Sequence, residues 1–280
     1  MMRIDAHQHF WRYDPTGYGW IAADMPALRR DWLPQDLEPL LDAQGIVACI
    51  AVQARADEAE NAFLLELAQR HPRIAAVVGW VDLLAADADA RLAYWCAQPR
   101  LRGVRHLLQD DPDVAATLAD PRFDRGIAAV QAHGLVYEVL VRGPEQLARV
   151  PAFCARHDRH WLVLDHLGKP RIGGAGEDDW CRQLRAVAAS PHVLCKLSGL
   201  VTEVVRTDVS RDVLFRHLDT ALEAFGSDRL MFGSDWPVCL LRADYAEVAA
   251  LVRDWAARLS NDEQSLLWGG TAARCYGLQA

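Results

Sequence analysis

The sequence predicts a single-domain (β/α)8 barrel. Three observations carry that prediction. Short apolar runs rich in β-branched residues alternate with helical segments along the chain; there are eight such runs, counting the N-terminal one; and 280 residues is the length such a barrel needs. Strict alternation of strand and helix gives a parallel sheet. An open doubly wound sheet would want Gly-X-Gly-X-X-Gly after an early strand, and none occurs there. No low-complexity tract, charged block or linker divides the chain, so residues 1–280 read as one domain.

The first strand is the run at 3–10, Arg-Ile-Asp-Ala-His-Gln-His-Phe, which carries His7 and His9. In an extended strand residues two apart project to the same side, so both imidazoles converge on one point. That suits a metal ligand pair, a polar active-site pair, or two hydrogen-bonded histidines at a strand end. Residues 10–33 are rich in aromatic, Gly and Pro residues, hold Trp11, Trp20 and Trp32, and show no period. They read as a long ordered loop over the barrel mouth. Such a loop is either a lid or binding wall, or an aromatic cluster closing one end of the core.

A helix over 34–44 stops at Gly45, and Ile-Val-Ala-Cys-Ile-Ala-Val at 46–52 is a buried parallel strand. The alternation then repeats. Helix 57–71 precedes strand 75–81, and helix 88–97 precedes strand 103–108. Helix 123–133 ends at Gly134 before strand 135–141. Helix 145–157, with Pro151 an irregularity, precedes strand 161–165. Helix 180–189 precedes strand 193–197, and helix 213–225 ends at Gly226 before strand 230–232. Helices over 245–259 and 262–276 close the chain.

Composition narrows the function classes. The chain is 51% hydrophobic and 24% charged, enough for one large core. A net charge of −8 argues against a nucleic-acid or anionic-membrane surface. No apolar run is long enough to span a bilayer, and the N-terminus enters His-X-His without a signal-like apolar stretch. Cys49, Cys96, Cys154, Cys181, Cys195, Cys239 and Cys275 are odd in number, dispersed and without Cys-X-X-Cys. They are expected as reduced thiols of a cytoplasmic protein, packing as small apolar residues.

In such barrels the chemistry lies at the carboxyl ends of the strands. Those ends carry His7 and His9, then Gln53 and Arg55, Asp82, Arg105 and His106, and Glu138. Asp165 and His166 follow with Lys169 beyond, then Lys196 and Ser198, and Ser234-Asp235-Trp236. His7, His9, His166 and Asp235 are the set able to meet at the mouth, as a mononuclear site for a borderline divalent metal or as a metal-free acid/base cluster. Asp165, next to His166, would point the opposite way on a strand and is expected to be structural. Lys196 has two readings, substrate binding or pairing with a carboxylate. His71, His133 and His157, near helix C-termini, read as dipole partners; His160, His192 and His217 have no special claim.

Four motifs carry a resemblance: Asp-Ala-His-Gln-His-Phe-Trp at 5–11, Asp-His-Leu-Gly-Lys-Pro at 165–170, Lys-Leu-Ser-Gly at 196–199 and Phe-Gly-Ser-Asp-Trp-Pro at 232–237. Together the chain resembles the amidohydrolase superfamily, and within it the amidohydrolase-related branch of sugar lactonases. The resemblance implies hydrolysis of a cyclic ester. It matches His7 and His9 to the first-strand pair, His166 to the later-strand histidine, and Asp235 to the aspartate that activates water. The fifth-strand segment 136–141 lacks a lysine able to bridge two metals. At most one ion, zinc before others, is therefore expected on His7, His9, His166 and Asp235, and relatives that work without metal make it dispensable.

A lactone needs an activated water, a stabilised oxyanion and a proton for the leaving alkoxide. Asp235 is the expected base, with a pKa well above a free carboxylate unless a metal acidifies the water. A metal, a protonated histidine or Arg105 would polarise the carbonyl. Gln53, Arg105, Glu138, Lys169, Trp32 and Trp236 are the candidates for binding sugar hydroxyls and ring faces. The substrate expected is a small sugar lactone such as L-fuconolactone, in a 1,4- or 1,5-form. The rivals are a pyrone dicarboxylate hydrolase, which would want an arginine cluster where only Arg55 and Arg105 stand, a metal-dependent decarboxylase of the same superfamily, and a sugar-binding barrel without turnover.

Overall fold

Eight strands form among the residues described by the computed structural model, 2–206 and 208–278. They are β1 (Ile4–Gln8), β2 (Ala48–Val52), β3 (Ile74–Gly79), β4 (Leu101–His106), β5 (Val136–Val139), β6 (Leu162–Leu164), β7 (Val193–Leu197) and β8 (Leu230–Phe232). All pair in parallel in sequence order. The sheet closes where Asp235 N–H donates to the His7 carbonyl at 2.8 Å and His9 N–H to that of Trp236 at 2.7 Å. This is the eight-stranded barrel expected from the alternation.

The helices follow the predicted order: α1 (Pro34–Gln44), α2 (Glu58–Arg70), α3 (Ala88–Cys96), α4 (Val114–Ala119), α5 (Pro121–Ala132), α6 (Gly143–Leu147), α7 (Val150–Arg156), α8 (Glu177–Ala188), α9 (Arg211–Phe225), α10 (Tyr245–Ala256), α11 (Asn261–Ser265) and α12 (Thr271–Tyr276). Three differ from expectation. The six-residue α4 has too short a period to read. The segment 145–157 is split into α6 and α7, because Pro151 lacks an N–H and fits only the first turn of a helix. The segment 262–276 is broken by a π-helical stretch, Leu266–Gly270. There a Cβ on Gly269 would lie 1.9 Å from the Met2 carbonyl oxygen, so a bare backbone is needed where the N-terminal strand crosses.

The barrel interior is layered. Its floor is apolar: Ile4, Ile50, Val78, Val136, Val163, Leu194 and Met231 pack with Ala272, Cys275 and Tyr276 of α12. Above the floor lies a layer of buried charge, Glu138, Lys196, Arg105 and Asp165, with Gln53 and His7. Two cations face two carboxylates there, which is what lets ions be buried at all. Residues of alternate parity, such as Tyr137, Leu164, Cys195 and Phe232, face the helices in the main outer core. The β1–β2 register slips between Asp5 and Gln8. Such an irregularity re-aims side chains: Asp5 reaches Ser234 and Tyr245 outside the barrel, while His7 joins the interior layer.

Candidate active site

Four strand ends bring His7, His9, His166 and Asp235 to one point. From Asp235 Oδ1 the Nε2 atoms of His9, His7 and His166 lie at 3.4, 3.9 and 3.9 Å. Each imidazole is held from behind. His9 Nδ1 donates to the Val52 carbonyl at 2.8 Å, which turns Nε2 toward the aspartate. His166 Nδ1 lies 2.9 Å from Ser198 Oγ. His7 Nδ1 sits 3.2 Å from Lys196 Nζ and 3.4 Å from Asp165 Oδ1.

Local backbone geometry makes this possible. His166, Leu167 and Lys169 follow β6 at φ 52°, 55° and 52°, and Asp235 follows β8 at φ 57°. Left-handed conformations cost non-glycine residues energy and persist where surroundings impose them. They end the strand alternation, so Asp165 and His166 both face the cluster. The expectation that Asp165 points away is corrected on this ground.

Burial sets the protonation of these groups. Burial, and next the charge of Lys196, holds His7 well below the usual histidine range. Burial does the same for His166. Both are neutral near pH 7 and present lone pairs. Burial acts to raise the Asp235 carboxyl, but His166, His9 and Lys169 outweigh it and hold it below the usual carboxylate range. A base with a raised pKa, expected from the mechanism, is therefore not what the structure provides. Burial likewise acts to raise Asp165, and Lys196, His7 and Arg105 overcome it, so it stays well below the ordinary value.

The donor set suits one divalent ion. Three imidazoles and one carboxylate oxygen converge, and ligand atoms of His7, His9 and Asp235 lie within 4.8 Å of one another. A second grouping, His7, Asp165 and His166, shares His7.

The mouth cavity is lined by His9, His166 and Asp235 and, of the predicted binding residues, by Arg105 and Lys169. Arg105 donates to the Gln53 carbonyl at 2.5 Å, to Asp165 at 3.0 Å and to His7 Nε2 at 3.3 Å. Its buried Nε has no partner among the described residues. Lys169 stands 3.8 Å from Glu203.

Four predicted binding residues lie elsewhere. Glu138 is wholly buried below the mouth, 2.6 Å from Lys196 and 2.5 Å from the Tyr276 hydroxyl. Burial first, then the charge of Asp165, raises its pKa to about 7 despite Lys196. This contact also decides between the two readings of Lys196 in favour of carboxylate pairing. Gln53 is buried and spends its amide on the Arg105 carbonyl at 3.1 Å and its oxygen on the guanidinium. Trp236 is buried edge-on against Phe10 and Trp32. Trp32 donates to the Ala27 carbonyl and lies under Arg30.

Trp20, Gln109 and Asp110 also line the cavity, though nothing in the sequence marks them individually as binders. Their loops are aperiodic; the only signal was the aromatic density of 10–33. Of the other histidines, His71 pairs with Glu38, His133 with Asp89 and the buried His157 with Asp124, each at 2.9 Å.

Known proteins with this pattern exist. The amidohydrolase family profile matches residues 4–278. An L-fucono-1,5-lactonase from Burkholderia multivorans is 58% identical over 287 aligned residues, covering 99% of this chain and 96% of that protein. An L-fucono-1,5-lactonase from Burkholderia ambifaria is 37% identical, over 98% of this chain and 95% of its own. A crystal structure of an amidohydrolase from Burkholderia multivorans with bound zinc is 56% identical and superposes with a TM-score of 0.96 over 100% of both chains.

Proposed function

This chain belongs to the amidohydrolase family, and we propose that it is a sugar lactonase that opens L-fucono-1,5-lactone, or a close aldonolactone, to the aldonic acid. It is a carboxylic ester hydrolase. The observation that carries the substrate is the 58% identity, over 99% of the chain, with a protein of that activity. The cavity supports it. Arg105 and Lys169 line it, but each already faces a carboxylate, Asp165 or Glu203, and Asp110 adds another acid to the wall. Arg55 is outside the wall, over the Tyr18 ring and 3.6 Å from Asp57. That is a poor receptor for a dicarboxylate and a reasonable one for a polyol ring.

In this reading the reaction runs as follows. Asp235, ionised at neutral pH, takes a proton from a water placed against the imidazole cluster. The oxygen of that water bonds to the lactone carbonyl carbon, and the ring C–O bond breaks. The proton passes from Asp235 to the departing alkoxide, so the acid and the hydroxyl form together. Arg105, which lines the cavity, sets a fixed positive charge beside the carbonyl that stabilises the developing oxyanion. Lys169, Gln109 and Asp110 face the hydroxyls. One Zn²⁺ on His7, His9, His166 and Asp235 would polarise the carbonyl and acidify water when bound. Arg105 shares the first of these tasks but not the second, so without the ion the weakly basic Asp235 activates water alone and turnover is slower.

Residues 10–33 act as the wall over the mouth, and 1–280 as one catalytic domain. Among the described residues no helix is long and apolar enough to cross a membrane. The seven cysteines are all unpaired, five of them buried, as suits a cytoplasmic protein.

Proton release with a pH indicator tests this reading. Wild-type protein opens L-fucono-1,5-lactone, Asp235→Asn lowers kcat by roughly 10²–10⁴-fold, and complete chelation lowers it without abolishing it. Undiminished turnover in Asp235→Asn would remove Asp235 from the chemistry.

A further inference from the structure

The segment 10–33 has a small core of its own. Trp11, Tyr18, Ile21 and Leu28 pack with Ala54, apart from the main core. Its base is fixed where Trp11 and Trp32 exchange backbone hydrogen bonds of 2.9 and 3.0 Å. Inside this apolar cluster lies one buried polar contact that the reaction does not use. The Tyr18 hydroxyl donates to Glu60 Oε1 at 3.0 Å. Glu60, in the first turn of α2, is wholly buried. Its other oxygen accepts the backbone N–H groups of Ala54 at 2.9 Å and Arg55 at 3.0 Å.

One carboxylate thus ties together two parts of the mouth. Ala54, two residues past β2, lines the cavity; so does Trp20, two residues beyond Tyr18. Trp20 is 37% exposed and packs edge-on against Trp11 with centroids 5.8 Å apart. The Arg55 guanidinium covers the Tyr18 ring at 5.3 Å. A buried carboxylate is costly unless hydrogen-bonded, and apolar contacts alone fix no direction. A hydrogen bond of fixed geometry does.

We propose that Glu60 is a positioning residue for substrate binding: through the Tyr18 hydroxyl it pins the aromatic segment so that Trp20 forms the apolar wall of the lactone pocket. This rests on the lactonase reading. The bland alternative is that Glu60 serves only the turn after β2, with Tyr18 an incidental neighbour.

Tyr18→Phe separates the two, because it deletes one hydroxyl and leaves the ring, Glu60 and the turn in place. The expected result is a KM for L-fucono-1,5-lactone raised about 10-fold, with kcat within about 2-fold of wild type. Trp20→Ala raises KM similarly, Trp20→Phe restores part of it, and the Tyr18→Phe/Trp20→Ala double variant is no worse than Trp20→Ala alone. Amide hydrogen exchange over residues 13–25 speeds up in Tyr18→Phe, a readout independent of turnover. If wild-type protein opens no lactone, the substrate reading fails while the exchange measurement still judges the pin. If wild type turns over and Tyr18→Phe changes neither KM nor exchange, the proposal is overturned. A fall in kcat at constant KM overturns it equally.

Discussion

His7 is gripped at both nitrogens. Lys196 and Asp165 flank Nδ1, while Arg105 and Asp235 stand 3.3 and 3.9 Å from Nε2. A neutral imidazole has one N–H, and the group that accepts it decides which nitrogen keeps the lone pair. Among these neighbours Asp165 can accept Nδ1–H, which frees Nε2 toward the mouth. Asp165→Asn removes that charge and leaves Arg105 and Lys196 with one carboxylate fewer. The expected effect is a roughly 10–100-fold fall in kcat, read by proton release on a variant whose circular dichroism matches wild type. An unchanged kcat would show that Lys196 alone orients the ring. The importance of Asp165 was not legible in the sequence, because strand alternation turned it away from His166. What reversed it, positive φ at His166 and Leu167, leaves no mark in residue types that rarely adopt it. His7, His9, His166 and Asp235 were legible because all four stand at strand ends, two of them at the period of a strand.

At the scale of elements, the strand ends deliver the site and tight backbone contacts hold it. Gly199, just past β7, has φ 64°, and a Cβ there would lie 2.6 Å from His166 Nδ1. Gly199→Ala should displace His166 from Ser198 and strain the turn. The expected loss is at least about 10-fold in kcat/KM together with about 1 kcal/mol of stability, measured by initial rates and urea unfolding. Full activity would mean that the turn relaxes without moving the imidazole. Most elements were readable because a strand period of two and a helix period near 3.6 repeat for many residues. β7 and β8 fall where expected, but several strands are shorter than their apolar runs; 135–141, for example, pairs only over β5, since the residues beyond turn out of the ladder to build the mouth. The Trp20 wall was unreadable for the opposite reason: its segment has no period, and Trp11, Trp20 and Trp32 look alike until packing sends Trp11 inward and Trp20 to the cavity.

Across the whole molecule, the barrel stacks an apolar floor, a neutral layer of buried ion pairs and a mouth of imidazoles with one carboxylate. Tyr276 of α12, Glu138, Lys196, Asp165 and His7 make a continuous polar column from floor to mouth. The site is thereby anchored to the closing helix of the chain as well as to its strands. Eight repeats made the architecture plain in the sequence, whereas the substrate is read by loops such as that bearing Gln109 and Asp110, where one residue's chemistry depends on folding around it. Everything at this mouth fits a neutral sugar lactone. The most direct measurement is the kcat/KM for proton release from L-fucono-1,5-lactone beside that from 2-pyrone-4,6-dicarboxylate, on the same wild-type preparation. The expected preference for the sugar lactone is at least about 100-fold, on the order of 3 kcal/mol in transition-state binding. A preference for the dicarboxylate, or no proton release from any aldonolactone, would contradict it.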